Sequence, residues 1–95
     1  MVNYRPAPLD RTFAALAAPT RRALLARLGE ADTISVSDLA RPFPVSLPAI
    51  MKHLDVLSEA GLVTRSKTGR TVSCRLNAAP MQQALEWLAR YQRFW

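Results

Sequence analysis

Cysteine, histidine and glycine are scarce in this chain: one Cys, one His and three Gly among 95 residues. A single Cys excludes an intramolecular disulfide framework. One thiol and one imidazole leave no credible first shell for zinc or arsenic. Gly29, Gly61 and Gly69 stand apart, each at an expected helix end or turn, so there is no phosphate-cradling glycine loop. Paired carboxylates in a pocket pattern and a nucleophile motif are also missing, which excludes an enzyme and implies no cofactor. No apolar run approaches the roughly 18 residues needed to cross a bilayer. Met1 to Pro8 has neither the apolar core nor the cleavage site of a signal peptide. These absences together predict a cytoplasmic protein with no membrane partner. Acidic residues are the minority charge, 7 Asp+Glu against 13 Lys+Arg, and the formal net charge is +6, supplied mostly by arginine. Such a surplus suits an anionic partner, and nucleic acid is the first candidate.

The residues that are present read as one domain, since a chain of this length has no room for a second core. With 49% hydrophobic and 21% charged residues the composition is globular. The core of so short a chain is modest, so oligomerisation would help it. Residues 1–8, with Pro6 and Pro8, read as a loose arm ahead of a domain over 9–95. Leu9, Phe13 and Leu16 fall on one face of a first helix from Leu9 to Ala17. Pro19 sits where a first helical residue tolerates proline, and a second helix follows to about Leu28, burying Leu24, Leu25 and Leu28, with Gly29 as its stop. Ser35 or Ser37 can cap a short third helix through Asp38, Leu39 and Ala40, which Pro42-Phe43-Pro44 must end. Ser46 is the N-cap of a fourth helix, Pro48 lies in its first turn, Leu47, Ile50, Leu54 and Leu57 form its buried stripe, and Gly61 closes it.

Two strands follow, Leu62 to Lys67 and Thr71 to Leu76, joined by the turn Thr68-Gly69-Arg70. Val72, Cys74 and Leu76 alternate with Thr71, Ser73 and Arg75, which gives one apolar and one polar face. A last helix starting between Asn77 and Pro80 carries Met81, Leu85, Leu88, Tyr91 and Trp95 on one side, with Trp87 and Phe94 on the flank. The expected fold is mainly α with a small β-hairpin wing, a winged helix-turn-helix in the order α-α-α-α-β-β-α.

The second helix of a helix-turn-helix enters the major groove with its N-terminal residues first. Here those residues are Ser46, Leu47, Pro48, Ala49, Met51 and Lys52. A helical wheel sets Pro48, Ala49 and Lys52 opposite the buried stripe, with Met51 beside it. Lys52 suits phosphate or a guanine edge, Ser46 suits phosphate, and Leu47, Ala49 and Met51 offer apolar contact such as a thymine methyl. His53, beside Lys52, reads as a hydrogen-bonding or phosphate-facing residue. The hairpin contributes Arg65, Lys67, Arg70 and Arg75 with no acidic residue from Leu62 to Leu76, which suits contact with the DNA backbone or minor groove. Arg21 and Arg22 open the second helix, where flanking phosphate and plain solvent exposure are both open readings. Cys74 lies on the apolar face of its strand and reads as a buried, inert thiol.

The apolar side of the last helix is broader than a monomer of this size needs. Leu85, Trp87, Leu88, Tyr91, Phe94 and Trp95, with Leu9, Phe13 and Leu16 of the first helix, are the expected interface of a homodimer. A winged helix can also serve as a protein–protein interaction module, and neutral or acidic wings would favour that alternative; this wing is basic.

The run from Phe13 to Arg22, the run from Ser46 to Leu54 and the run from Leu57 to Val63 together resemble the ArsR-type (arsenical-resistance-repressor-like) family of small winged-helix regulators, over nearly the whole chain from Leu9. The closing stretch from Trp87 to Trp95 looks like the metal-independent branch of that family. The resemblance implies a transcriptional repressor that binds a palindromic operator on double-stranded DNA as a homodimer through its first and last helices. Three departures bear on mechanism. Metal-sensing members carry Cys-Val-Cys where this chain reads Ser35-Val36-Ser37, and their other metal site needs Asp and His on the last helix, which has neither. The position of Met51 more often holds a small polar residue in the family, which bears on the operator that is read. Similar proteins usually continue for some turns past the position of Trp95, so the last helix is expected to be cut short.

Overall fold

The computed structural model describes residues 7–95, so the expected arm lies mostly outside the described residues. The first helix, α1, spans Pro8–Leu16 and begins one residue before the expected Leu9. Asp10 Oδ2 accepts from the Ala7 backbone N–H at 3.1 Å, placing a carboxylate on the positive end of the helix. Thr12 and Ala15 are its buried residues, while Leu9, Phe13 and Leu16 are only half-buried. The tight face of α1 is therefore lined by small side chains, and the larger ones straddle its edges.

Helix α2 spans Pro19–Gly29 and buries Leu24, Leu25 and Leu28 as its periodicity predicts. Gly29 is helical rather than the stop. The chain leaves through a tightened right-handed turn, with Glu30 N–H on the Arg27 carbonyl and Ala31 N–H on that of Leu28, so no left-handed residue is required. A two-residue strand β1, Ile34–Ser35, comes next and is absent from the sequence reading. Helix α3, Val36–Ala40, is capped by Ser35, whose Oγ accepts from Asp38 N–H at 3.1 Å.

Helix α4 spans Leu47–Glu59, with Ser46 Oγ accepting from Ala49 N–H at 3.3 Å. Its end is a Schellman arrangement: Gly61 takes φ +76°, its N–H meets the Ser58 carbonyl at 3.0 Å, and Leu62 N–H reaches the Leu57 carbonyl at 2.9 Å. Ile50, Leu54 and Leu57 are fully buried, but Leu47 is 49% exposed. Its angle on the helix is the right one; the first turn lies beyond the core, which includes Ile50, Leu54 and Leu57 but not Leu47.

Strands β2, Val63–Thr68, and β3, Thr71–Leu76, pair antiparallel, and β1 adds to the other edge of β3, giving the order β1-β3-β2. Gly69 at φ +61° opens the two-residue turn between Thr68 and Thr71, as the first central residue of a type II′ hairpin does. The core joins Leu24 and Leu28 of α2, Leu39 of α3, Ile50, Leu54 and Leu57 of α4, and Leu62 and Cys74 beside and within the sheet. Each fully buried leucine or isoleucine contributes about 1.5–3 kcal/mol of transfer free energy.

Helix α5 spans Ala79–Ala89 and packs on α1. It ends earlier than expected, and a 3-10 turn over Gln92–Phe94 replaces its last turns. The change of pitch takes Tyr91 and Trp95 out of phase with Met81, Leu85 and Leu88. Only Ala84 is buried, and Leu85 is 61% exposed. A small residue at the contact lets the two helices approach and turns the larger neighbours outward. The result is a mainly α winged helix-turn-helix with a three-stranded antiparallel sheet in place of a bare hairpin.

Candidate nucleic-acid interface

The turn between α3 and α4 sets the first turn of α4 on an open face. Ser46, Leu47, Pro48 and Lys52 are exposed there, and Ala49 and Met51 are half-buried. Pro48 costs this helix no hydrogen bond, because the first four N–H groups lack intrahelical partners. The N-cap bond uses Ser46 Oγ as an acceptor and leaves its O–H free to donate. Among the described residues Lys52 takes part in no ion pair. These first-turn residues gather where the sequence places them, except that Leu47 faces solvent.

The wing divides its cations. Lys67, on β2, and Arg70, at the tip, are exposed and make no ion pair with a described residue. Arg65 behaves differently: its register puts it across from the buried Cys74, and its Nη1 lies 2.8 Å from Asp55 Oδ1 on α4. The guanidinium expected among the backbone contacts is thus turned inward and ties the wing to the helix beside it. Asp55 is missed by sequence reasoning because its partner lies on another element; the one available signal was an acid on the helix preceding a wholly basic hairpin.

His53 is half-buried, with Nδ1 3.3 Å from Arg21 Nη1, so its hydrogen-bonding partner is a neighbouring helix. Arg21 and Arg22 serve the end of α1. Arg21 donates from Nε to the Ala15 carbonyl at 2.7 Å and from Nη2 to that of Ala14 at 3.0 Å, and Arg22 Nη1 donates to the Leu16 carbonyl at 2.8 Å. The helix-end carbonyls of Ala15 and Leu16 are satisfied by these side chains, that of Ala14 gains a second donor beside the Ala17 N–H, and two positive charges meet the negative end of the helix dipole.

A cavity of about 320 Å³ opens between the first turn of α4, the wing tip and the start of α3. Leu47, Met51, Arg70 and Val72 line it together with Ser35, Val36 and Ser37. Side chains that suit base edges and a cation that suits phosphate therefore share one concavity. Cys74 is fully buried; burial pushes its thiol up from the ordinary value, and the nearby Arg65 charge pulls it partly back. Among the described residues no three His, Cys, Asp or Glu side chains gather into a metal-binding group, and no helix is long and apolar enough to cross a membrane.

Residues 16–66, more than half of the chain, match a family described as a helix-turn-helix domain. A crystal structure of an ArsR family transcriptional regulator superposes with a TM-score of 0.87 and 41% identity, covering 100% of this chain and 96% of that one. This chain belongs to the ArsR family of winged helix-turn-helix regulators. Two further relatives show how far the likeness reaches. The transcriptional repressor SdpR of Bacillus subtilis is 29% identical over 83 residues, which is 87% of this chain and 91% of SdpR. An HTH-type transcriptional regulator of Mycobacterium tuberculosis is 47% identical over 69 residues, 73% of this chain and 62% of that protein. The α3–turn–α4 unit and most of β2 of this ArsR-family chain lie inside the matched domain, while β3 with the wing tip, and all of α5, lie beyond it.

Proposed function

We propose that this protein is a homodimeric transcriptional repressor of the cytoplasm that binds a palindromic operator, and that it does not sense metal through a cysteine site. The observation that carries the reading is the open face where the first turn of α4 and the wing tip meet, with Leu47, Met51 and the exposed Arg70 lining one cavity and Lys52 exposed on the same helix as Leu47 and Met51. Ser46, Leu47, Pro48, Ala49, Met51 and Lys52 enter the major groove, and Lys67 and Arg70 hold the backbone beside it. Arg65 and His53 brace this surface from behind, through Asp55 and Arg21.

The dimer reading rests on a second surface. Leu85, Trp87, Leu88, Tyr91, Phe94 and Trp95 are all exposed at the end of the chain, and Phe13 joins them through an edge-on contact with Trp87, ring centroids 5.8 Å apart. An apolar surface of this kind needs a cover, and the same surface on a second copy supplies one; Leu9 and Leu16 extend it along α1. The segment where metal sensors of the family carry Cys-Val-Cys holds Ser35 and Ser37, whose hydroxyls are poor ligands for soft metals.

Selection of bound duplexes from a random library tests the function. Enrichment of a palindrome supports both operator binding and two-fold symmetry. Failure to enrich any sequence, with the folded protein binding all duplexes alike, refutes a sequence-specific regulator.

A further inference from the structure

The reading head of α4 is unusually poor in hydrogen-bonding side chains. Val45 is 46% and Leu47 49% exposed, and Met51 lies half-buried at the mouth of the cavity beside Leu47. Pro48 and Ala49 complete the first turn, and neither side chain has a polar atom. No Asn, Gln or Arg lies between Val45 and Leu57, so the bidentate pairings that identify adenine, or guanine through arginine, are absent from this helix. His53, the one other side chain there with two polar atoms on a ring, is engaged by Arg21. Asp55 is paired with Arg65, so Lys52, the Ser46 hydroxyl and the one ring nitrogen of His53 that Arg21 does not hold are what remain for hydrogen bonds to base edges or phosphate.

Exposed aliphatic groups that share a concavity with a cation fit one feature of the DNA major groove. The thymine C5-methyl is the apolar group displayed there, and phosphates run along both rims. Lys52 stands on the same helix as Leu47, and Arg70 lines the same cavity. A duplex approaching this face would meet positive charge at its rims and aliphatic carbon in the groove. Met51 can follow the methyl because its unbranched side chain adapts its shape, and the adjacent cavity leaves it room.

We propose that Val45, Leu47 and Met51 form a thymine-methyl reader, so that contacts to thymine methyl groups, more than hydrogen bonds, carry base discrimination in each half-site. The inference rests on the operator-binding reading and adds the class of base edge that is recognised.

Deoxyuridine provides the test, since it removes the methyl and leaves the Watson–Crick and groove hydrogen-bonding atoms in place. The unaltered protein is titrated with a duplex selected from a random library, then with the same duplex resynthesised with deoxyuridine at one symmetric pair of thymines at a time. Affinity is expected to fall about four-fold for each buried methyl removed, or about fifteen-fold for a pair across both half-sites. Leu47→Ala should bind the thymine duplex more weakly and lose most of the thymine-over-uracil preference at one pair, while its binding to random duplex is retained. Because Leu47 lies outside the core, that variant keeps its fold, which circular dichroism verifies. Equal affinity for the thymine and uracil duplexes at every position, with specific binding intact, overturns the methyl reader and leaves operator binding standing. Absence of any sequence-specific binding overturns both.

Discussion

Arg21 Nη1 lies 3.3 Å from His53 Nδ1, and the same guanidinium holds the carbonyls of Ala15 and Ala14 at 2.7 and 3.0 Å. Arginine has no acceptor, so this contact needs the lone pair of Nδ1 and puts the ring proton on Nε2. One side chain on α2 thereby joins the end of α1 to the middle of α4. The helix that faces DNA in the proposed complex is registered against the helix that leads to the dimer surface.

Arg21→Ala should lower the free energy of unfolding by about 1.5–3 kcal/mol, because three bonds from the guanidinium go and the Ala15 carbonyl loses its donor, while that of Ala14 keeps the Ala17 N–H. Arg21→Lys should recover only part of that loss, since an ammonium cannot reproduce a planar fork reaching three acceptors. Urea denaturation followed by circular dichroism measures both. A lysine variant as stable as the parent would show that charge alone, and not the fork, is what matters at this position.

Two glycines should respond in opposite directions to alanine. At Gly61, φ +76° lies in the left-handed region, and Gly61→Ala should cost about 1–2 kcal/mol. At Gly29 the backbone is helical and a Cβ would meet only Leu76 Cδ2 at 4.0 Å, so Gly29→Ala should stabilise by about 0.5–1 kcal/mol. Thermal melts of the two variants report both signs at once, and a destabilised Gly29→Ala would contradict the helical assignment there.

Salt titration separates the cations of the wing. Removing one side chain that neutralises a phosphate flattens the log–log salt dependence by roughly 0.9, and a symmetric dimer carries every substitution twice. Arg70→Ala should therefore reduce the slope by about two and weaken specific and random binding alike. Arg65→Ala should change it far less, because Asp55 already neutralises that guanidinium at 2.8 Å. Met51→Ala should keep the slope and alter base preference by about 1–3 kcal/mol at a contacted position. A large slope change in Arg65→Ala would mean that Arg65 leaves Asp55 for phosphate in the complex.

Light scattering at tens of micromolar should give the mass of a dimer. Trp87→Ala and Tyr91→Ala should each weaken it, since the two rings stack edge-on at 5.3 Å and both reach the exposed patch. Operator affinity should fall with dimerisation, because a monomer grips only one half-site. A monomeric parent protein that still selects a palindrome would break this linkage.

The Cys74 thiol should resist alkylation in the folded protein near neutral pH and react once urea exposes it. Burial raises the folded thiol above its ordinary value, 9.0, and Arg65 offsets part of the rise. The folded state then keeps its proton at a pH where the unfolded chain has released it. The stabilising contribution is thus complete below the unfolded value and is lost as pH climbs through the folded one. Arg65→Ala removes the offsetting charge and should push the alkylation profile to still higher pH. Reactivity of the folded parent equal to that of the unfolded chain would place the thiol at the surface.

The order of the helices and of the hairpin, the Ser46 cap, the Gly61 stop and the buried Ile50, Leu54 and Leu57 could all be read from the residues, because caps, turns and periodicity act over a few positions. The division of the start of α4 and its cap into Ser46, Lys52 and an apolar remainder was equally legible. Which side chains close on one another was not. A helical wheel assigns Leu47 an angle but cannot say that the core stops before reaching it. Two residues, Ile34 and Ser35, carry no strand pattern of their own and become β1 only because the edge of β3 offers unpaired backbone groups. Arg65 reads from the sequence as a contact to the DNA backbone or minor groove, and Arg21 and Arg22 as facing flanking phosphate or solvent; only the folded chain sets the last two on the carbonyls of α1 and Arg65 on Asp55. Local chemistry along the chain determined where elements begin, where most of them end and which face is apolar. The positions brought together across the chain decided which charges are spent on neighbours and which remain for a partner, since an ion pair depends on distance in space and not on separation in sequence.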